Sequence, residues 1–168
     1  MADAGLPLLA HTGGEHTVPQ YDRKLADPAT LTGALECGVN VIAAHCATKS
    51  GARDRDYLPS LVEMMGRFSN LYADLSALNL PFRSAGLKAM LARPELHDRL
   101  LHGSDFPVPV QATWAKVRKL ITPAEARHCT GIKNLIARDH RLKLAAGFPE
   151  RVFTQVWGLL RVKVETGE

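Results

Sequence analysis

The sequence predicts an α/β fold in which parallel strands alternate with helices at the repeat of a (β/α)8 barrel. Three observations point there. Short apolar runs alternate with longer helix-patterned segments along the 168 residues. The runs end in polar residues, His11, His45, Asp74 and Asp105, at intervals of 34, 29 and 31 residues. A barrel of about 250 residues allots about 31 to each βα unit. Finally, no G-x-G-x-x-G turn follows any run, which argues against a dinucleotide-binding doubly wound sheet. A doubly wound sheet produces similar intervals, so spacing alone leaves that alternative open.

The elements follow in order. "LPLLAH" (6–11) reads as a strand behind a turn marked by Gly5 and Pro7. "DPATLTGALECG" (27–38) reads as a helix with Asp27 as N-cap, Pro28 in its first turn and Gly38 as its stop. "VNVIAAHC" (39–46) is apolar on both faces, as a buried parallel strand is. Residues 56–68 put Leu58, Leu61, Val62 and Met65 on one helical stripe. "NLYADLS" (70–76) is the third strand, 84–92 a helix ending before Pro94, and "RLLHGSD" (99–105) the fourth strand. A helix covers 111–120. Beyond it the chain is mainly helical to residue 168, with a terminal helix whose stripe is Val152, Phe153, Val156, Leu159 and Leu160.

Composition narrows the class. With 46% hydrophobic and 23% charged residues, the chain supports an ordinary core. The net charge is +4, and the basic residues of the C-terminal third read as solvated helix faces. No aromatic-plus-basic motif accompanies them, so no nucleic-acid partner is expected. Three widely spaced cysteines, Cys37, Cys46 and Cys129, fit neither a disulfide framework nor a zinc finger. No signal peptide and no membrane-length apolar run is present, so the expectation is a reduced, cytoplasmic protein with no membrane contact.

Residues at the C-terminal ends of parallel barrel strands share one mouth, where active sites sit. Here those ends carry His11, His45 and Asp105, whose imidazole and carboxylate donors suit zinc and related divalent ions. In "HGSDFP" (102–107) small Gly103 and Ser104 lead to Asp105, and Pro107 and Pro109 stop the sheet. Glu15, His16, Asp74, Ser76 and His102 are the candidate substrate-pocket residues, with Asn79 a weaker one. His97, His128 and His140 read as surface histidines, and Cys46 as a small buried residue.

Four segments in this order, "LLAHTGGEH", "VIAAHC", "NLYADLSALNLP" and "LLHGSDFPVP", resemble an amidohydrolase-related family of the metal-dependent amidohydrolase superfamily. The resemblance extends to "RDHRLKLAAGFPERVF" and covers nearly the whole chain. It implies a TIM barrel that binds one or two divalent metals through a His-x-His on strand 1, histidines ending strands 5 and 6 and an aspartate ending strand 8. On it, His11, His45 and Asp105 match the strand-5, strand-6 and strand-8 positions. None of the seven histidines forms a His-x-His. The expectation is therefore a single partial domain over 1–168, the C-terminal half of a (β/α)8 TIM barrel with four parallel strands plus C-terminal helices.

By that resemblance the chain is a metal-dependent hydrolase of a C–N or C–O bond in a small molecule. It would use His11, His45 and Asp105 as metal ligands and Asp105 and His45 catalytically, with zinc ahead of manganese or iron. One alternative is a decarboxylase of the same superfamily. Another is a non-catalytic half-barrel that needs a second copy of itself or the missing N-terminal half. Its two open sheet edges and uncovered interior would favour association.

Overall fold

The computed structural model describes residues 1–16, 19 and 21–160. Residues 161–168, the end of the segment expected to be mainly helical, lie outside the described residues. Four strands form one parallel sheet in chain order: β1 (Leu8–Ala10), β2 (Val41–Ala43), β3 (Leu71–Asp74) and β4 (Leu100–Leu101). Leu9, Ile42 and Tyr72 share one row of the register, and Asp74 and Leu101 another. Doubly wound sheets reverse their strand order at a switch point. This sheet never reverses, so it is an arc of a barrel.

Helices α1 (Thr32–Glu36), α2 (Leu58–Arg67) and α3 (Ser84–Leu91) connect the strands. Leu35 of α1, Leu61, Met64 and Met65 of α2, and Leu87 and Met90 of α3 join one buried cluster. Its sheet members are Val41, Ala43, Leu71, Ala73 and Leu100, with Leu8 and Ala10 packed against it. Strand side chains alternate between faces, so these residues mark a single face. All three crossover helices cover it, as successive right-handed crossovers in a barrel do.

The opposite face is not bare, contrary to the expected open interior. Beyond α4 (Ala112–Val117), α5 (Pro123–Gly131) and α6 (Leu135–Ala145) run the short helices α7 (Arg151–Thr154) and α8 (Val156–Leu160). Leu159 and Val156 of α8 pack on Ile42, Leu101 and Tyr72. Leu9, on β1 in the same row, stays 64% exposed. The terminal stripe therefore divides: Val152 and Phe153 join the main core, Val156 and Leu159 cover the inner face, and Leu160 is exposed.

The elements are shorter than the sequence predicts, for local reasons. β2 stops at Ala43 because His45, Cys46 and Ala47 have φ of 58°, 48° and 51°. That left-handed turn cannot continue a strand. β4 stops at Leu101, where the His102 amide turns to the Val152 carbonyl of α7. The helix expected over 27–38 is a 3-10 turn, Pro28–Leu31, continued by α1, with the Asp27 carboxylate accepting from the Ala29 amide and Gly38 at φ 77° ending it. Thr122 and Glu125 close a reciprocal capping box on α5.

Leu61 is fully buried where α2 meets the sheet. Leu61→Ala is expected to lower the unfolding free energy by about 2–5 kcal/mol. Leu9→Ala is expected to stay within about 0.5 kcal/mol. Urea denaturation of the two variants checks the assignment of outer and inner faces.

Candidate active site

The site grows from the ends of the strands. Asp74 closes β3, and its Oδ1 accepts from the amide of His45 at 2.8 Å and from the amide of Ser76 at 3.0 Å. The Ser76 hydroxyl donates to the same oxygen. Ser76 Oγ then lies 2.7 Å from His45 Nδ1. A hydroxyl that gives its proton to Asp74 can only accept from the imidazole. The chain Asp74–Ser76–His45 therefore assigns the ring proton to Nδ1 and leaves Nε2 with a free lone pair, the form a ligating histidine takes.

His45 sits in the left-handed turn after β2, and His11 follows β1. Their ring centroids are 5.1 Å apart, edge to face. Asp105, at φ 58° in the loop after β4, places Oδ2 4.0 Å from His45 Nδ1. Glu15 Oε2 meets His11 Nε2 at 3.2 Å. The structure thus brings together His11, Glu15, His45, Asp74, Ser76 and Asp105. Burial lowers the pKa of His45, and the nearby Arg83 cation adds to this, against the opposing pull of Asp74 and Asp105.

Two nitrogens and carboxylate oxygens are the donors a zinc-type ion takes, so the set fits a divalent metal in donor chemistry. It is incomplete in arrangement. His11 Nε2 is turned to Glu15. Among the described residues no group of three or more His, Cys, Asp or Glu side chains is arranged to hold a metal ion.

The "TGGEH" stretch explains itself by contact. Gly13 has φ 79°, and a Cβ there would lie 2.2 Å from the Thr48 carbonyl oxygen. At Gly14 a Cβ would lie 2.2 Å from Asp54 Oδ2. Only glycines let the β1 loop lie against the β2 loop. Buried Arg83 fastens both loops, donating to the Gly14 carbonyl at 2.7 Å and the Thr48 carbonyl at 3.0 Å. His16 pairs with Asp54 at 2.9 Å.

His102 is also held elsewhere. Its Nε2 meets Asp139 Oδ2 at 3.0 Å, and its ring packs on Phe153 and His140. Asp139 and Lys143, both fully buried on α6, pair with each other. Lys143 Nζ donates to the Gly103 carbonyl at 2.7 Å, two residues before Asp105. Asn79 Nδ2 completes the network on Asp139 Oδ1 at 3.1 Å. Sequence reasoning missed Arg83, Asp139 and Lys143. The only available signal was an Asp–Lys pair at i,i+4 beside the apolar Leu142. His97, expected at the surface, is buried instead, with Nε2 3.1 Å from the Met90 carbonyl.

A family profile described as Amidohydrolase matches residues 1–134. The chain belongs to the amidohydrolase family. A crystal structure of an uncharacterized TIM-barrel protein from Bordetella bronchiseptica superposes with a TM-score of 0.50 at 23% identity. The match covers 87% of this chain and 48% of that one. This amidohydrolase chain therefore spans about half the length of that structure, and the likeness shows the fold. No curated protein matches the chain. Among the described residues no helix is long and apolar enough to cross a membrane.

Two outcomes follow from these geometries. Lys143→Met leaves Asp139 buried with one cation partner fewer and is expected to destabilise the chain by about 3–5 kcal/mol. A drop under about 1 kcal/mol in urea unfolding would show that water screens the pair. His45 is expected to titrate below the ordinary 6.5 in an NMR pH series. The unfolded chain then binds a proton before the folded one does, so stability falls as pH drops below about 6.5. His45→Gln is expected to flatten that part of the stability profile.

Proposed function

We propose that the chain carries the strand-5 to strand-8 half of an amidohydrolase-type hydrolase site acting on a C–N or C–O bond of a small molecule. The observation that carries this reading is that His11 and Asp105, from the loops after β1 and β4, each lie beside His45, from the loop after β2. His11, His45 and Asp105 would hold the ion, zinc ahead of manganese or iron by donor type. When bound, a divalent ion lowers the pKa of its water and polarises a carbonyl.

The remaining work belongs to this chain's side chains. Asp105 takes the proton of the attacking water and returns it to the leaving group. His45 keeps Nε2 available because Ser76 and Asp74 hold its proton on Nδ1. Glu15 orients the His11 ring through its 3.2 Å contact.

The absence of a three-donor arrangement among the described residues favours a second reading for the chain on its own. Catalytic zinc takes three protein ligands and an open position. In this reading the half-site needs further donors, from a barrel's N-terminal half or a second copy, and the chain alone is a weak catalyst.

Metal uptake and turnover test both readings. With excess zinc or manganese, the chain is expected to hydrolyse ester, lactone or amide substrates only slowly. His45→Ala and Asp105→Ala are each expected to reduce that rate by about 10²–10⁴-fold. Ser76→Ala is expected to reduce it by about 10–100-fold. Ordinary enzyme rates from the monomer would remove the second reading. Activity indifferent to His45→Ala and Asp105→Ala would remove the first, and carbon dioxide release from aromatic acids would replace hydrolysis by decarboxylation.

A further inference from the structure

A separate cavity of about 150 Å3 opens between the loop after β1 and the loop after β2. Gly13, Gly14 and Arg23 line it from the first loop, and Arg53, Asp54 and Arg55 from the second. Both loops leave the C-terminal ends of their strands, the same end that carries His11 and His45. We propose that this cavity is an anion subsite that binds the carboxylate or phosphate group of a small molecule.

The charges inside it do not cancel. Among the described residues, none of the three guanidiniums has a carboxylate within ion-pair distance. Arg55 stacks on the Tyr57 ring, 5.1 Å from its centroid. The single acid, Asp54, is already engaged. Its Oδ2 accepts from His16 Nε2 at 2.9 Å, the Gly51 amide at 2.7 Å and the Ser50 amide at 3.1 Å. Burial pushes its pKa up, but these hydrogen bonds outweigh it and hold the carboxyl below its usual value. The buried Arg83 cation binds the carbonyl of Gly14, one of the lining residues.

Three guanidiniums against one committed carboxylate make a local excess of positive charge in a concave wall. Guanidinium groups present planar, forked donors that match carboxylate and phosphate oxygens. The volume suits one such group with a short stem and falls below the about 300–1,000 Å3 of a whole ligand pocket. A larger ligand anchored there would extend beyond the cavity, whose lining residues Gly13 and Gly14 follow His11 by two and three positions. That this molecule is the substrate rests on the hydrolase reading; that the cavity binds an anion does not.

Binding is read without turnover or metal. Inorganic phosphate and benzoate are titrated separately into the full chain at low ionic strength, followed by amide NMR shifts. Saturable binding is expected, with the largest shifts at Gly13, Gly14 and the 50–55 loop. The R23Q/R53Q double variant is expected to weaken it by at least about tenfold. R67Q, at the end of α2 where the Arg67 side chain lies over the Phe68 ring, is expected to leave it unchanged. All three arginines are exposed, and circular dichroism confirms that the variants fold. Tighter phosphate binding assigns a phosphorylated ligand, and tighter benzoate binding a carboxylic acid. No saturable binding of either anion, equal binding by R23Q/R53Q, or equal weakening by R67Q overturns the proposal. Any of these leaves the hydrolase reading intact, whereas activity indifferent to His45→Ala and Asp105→Ala, with intact anion binding, removes that reading alone.

Discussion

One buried carboxylate organises the mouth of this sheet. Asp74 ends β3 and accepts from the His45 amide, the Ser76 amide and the Ser76 hydroxyl. Strand ends in a parallel sheet leave amides without ladder partners, and buried amides must be satisfied. Asp74 satisfies two of them and steers the chain into the left-handed turn over His45–Ala47. Non-glycine residues there cost of order 1–3 kcal/mol each. The turn persists because the surrounding hydrogen bonds over-determine it. The same contacts fix the tautomer of His45, so a backbone requirement and a chemical one are met by a single group.

A second polar assembly does for β4 what Asp74 does for β2 and β3. Lys143 and Asp139 are fully buried on α6, and Lys143 holds the Gly103 carbonyl just ahead of Asp105. With His102 and Asn79 on the carboxylate, each charge has several partners. Removing two charges from water is expensive, and such a pair is retained where geometry matters more than stability. Arg83 is the third anchor, tying the Gly14 and Thr48 carbonyls. The loops after all four strands are therefore pinned by buried polar contacts, and these contacts set the distances among His11, His45 and Asp105.

The inner face shows how a partial barrel manages its apolar surface. Ile42, Tyr72 and Leu101 point where further strands would lie in a closed barrel, and Leu159 and Val156 of α8 cover them. Among the described residues, Leu9 at the β1 edge stays exposed. Helix α8 thus hides the middle of the inner face.

The sequence by itself determined the alternation of strands and helices, the near-31-residue interval and the identity of the residues at the strand ends. These features are periodic or local, so they survive without knowledge of partners. The stripe Leu58, Leu61, Met65 faces the sheet because helical spacing leaves it one apolar side. Tertiary structure decided the rest. Strand lengths were set by non-local hydrogen bonds such as Asp74 to His45, which end β2 earlier than its apolar run does. His16 and His102 were plausible pocket residues in the sequence, but Asp54 and Asp139, 38 and 37 residues away, claim them. The arginine-lined cavity was invisible for the same reason. Its charges come from two loops, and only their packing across Gly13 and Gly14 shows three arginines beside one acid, Asp54, that His16 and two backbone amides already engage.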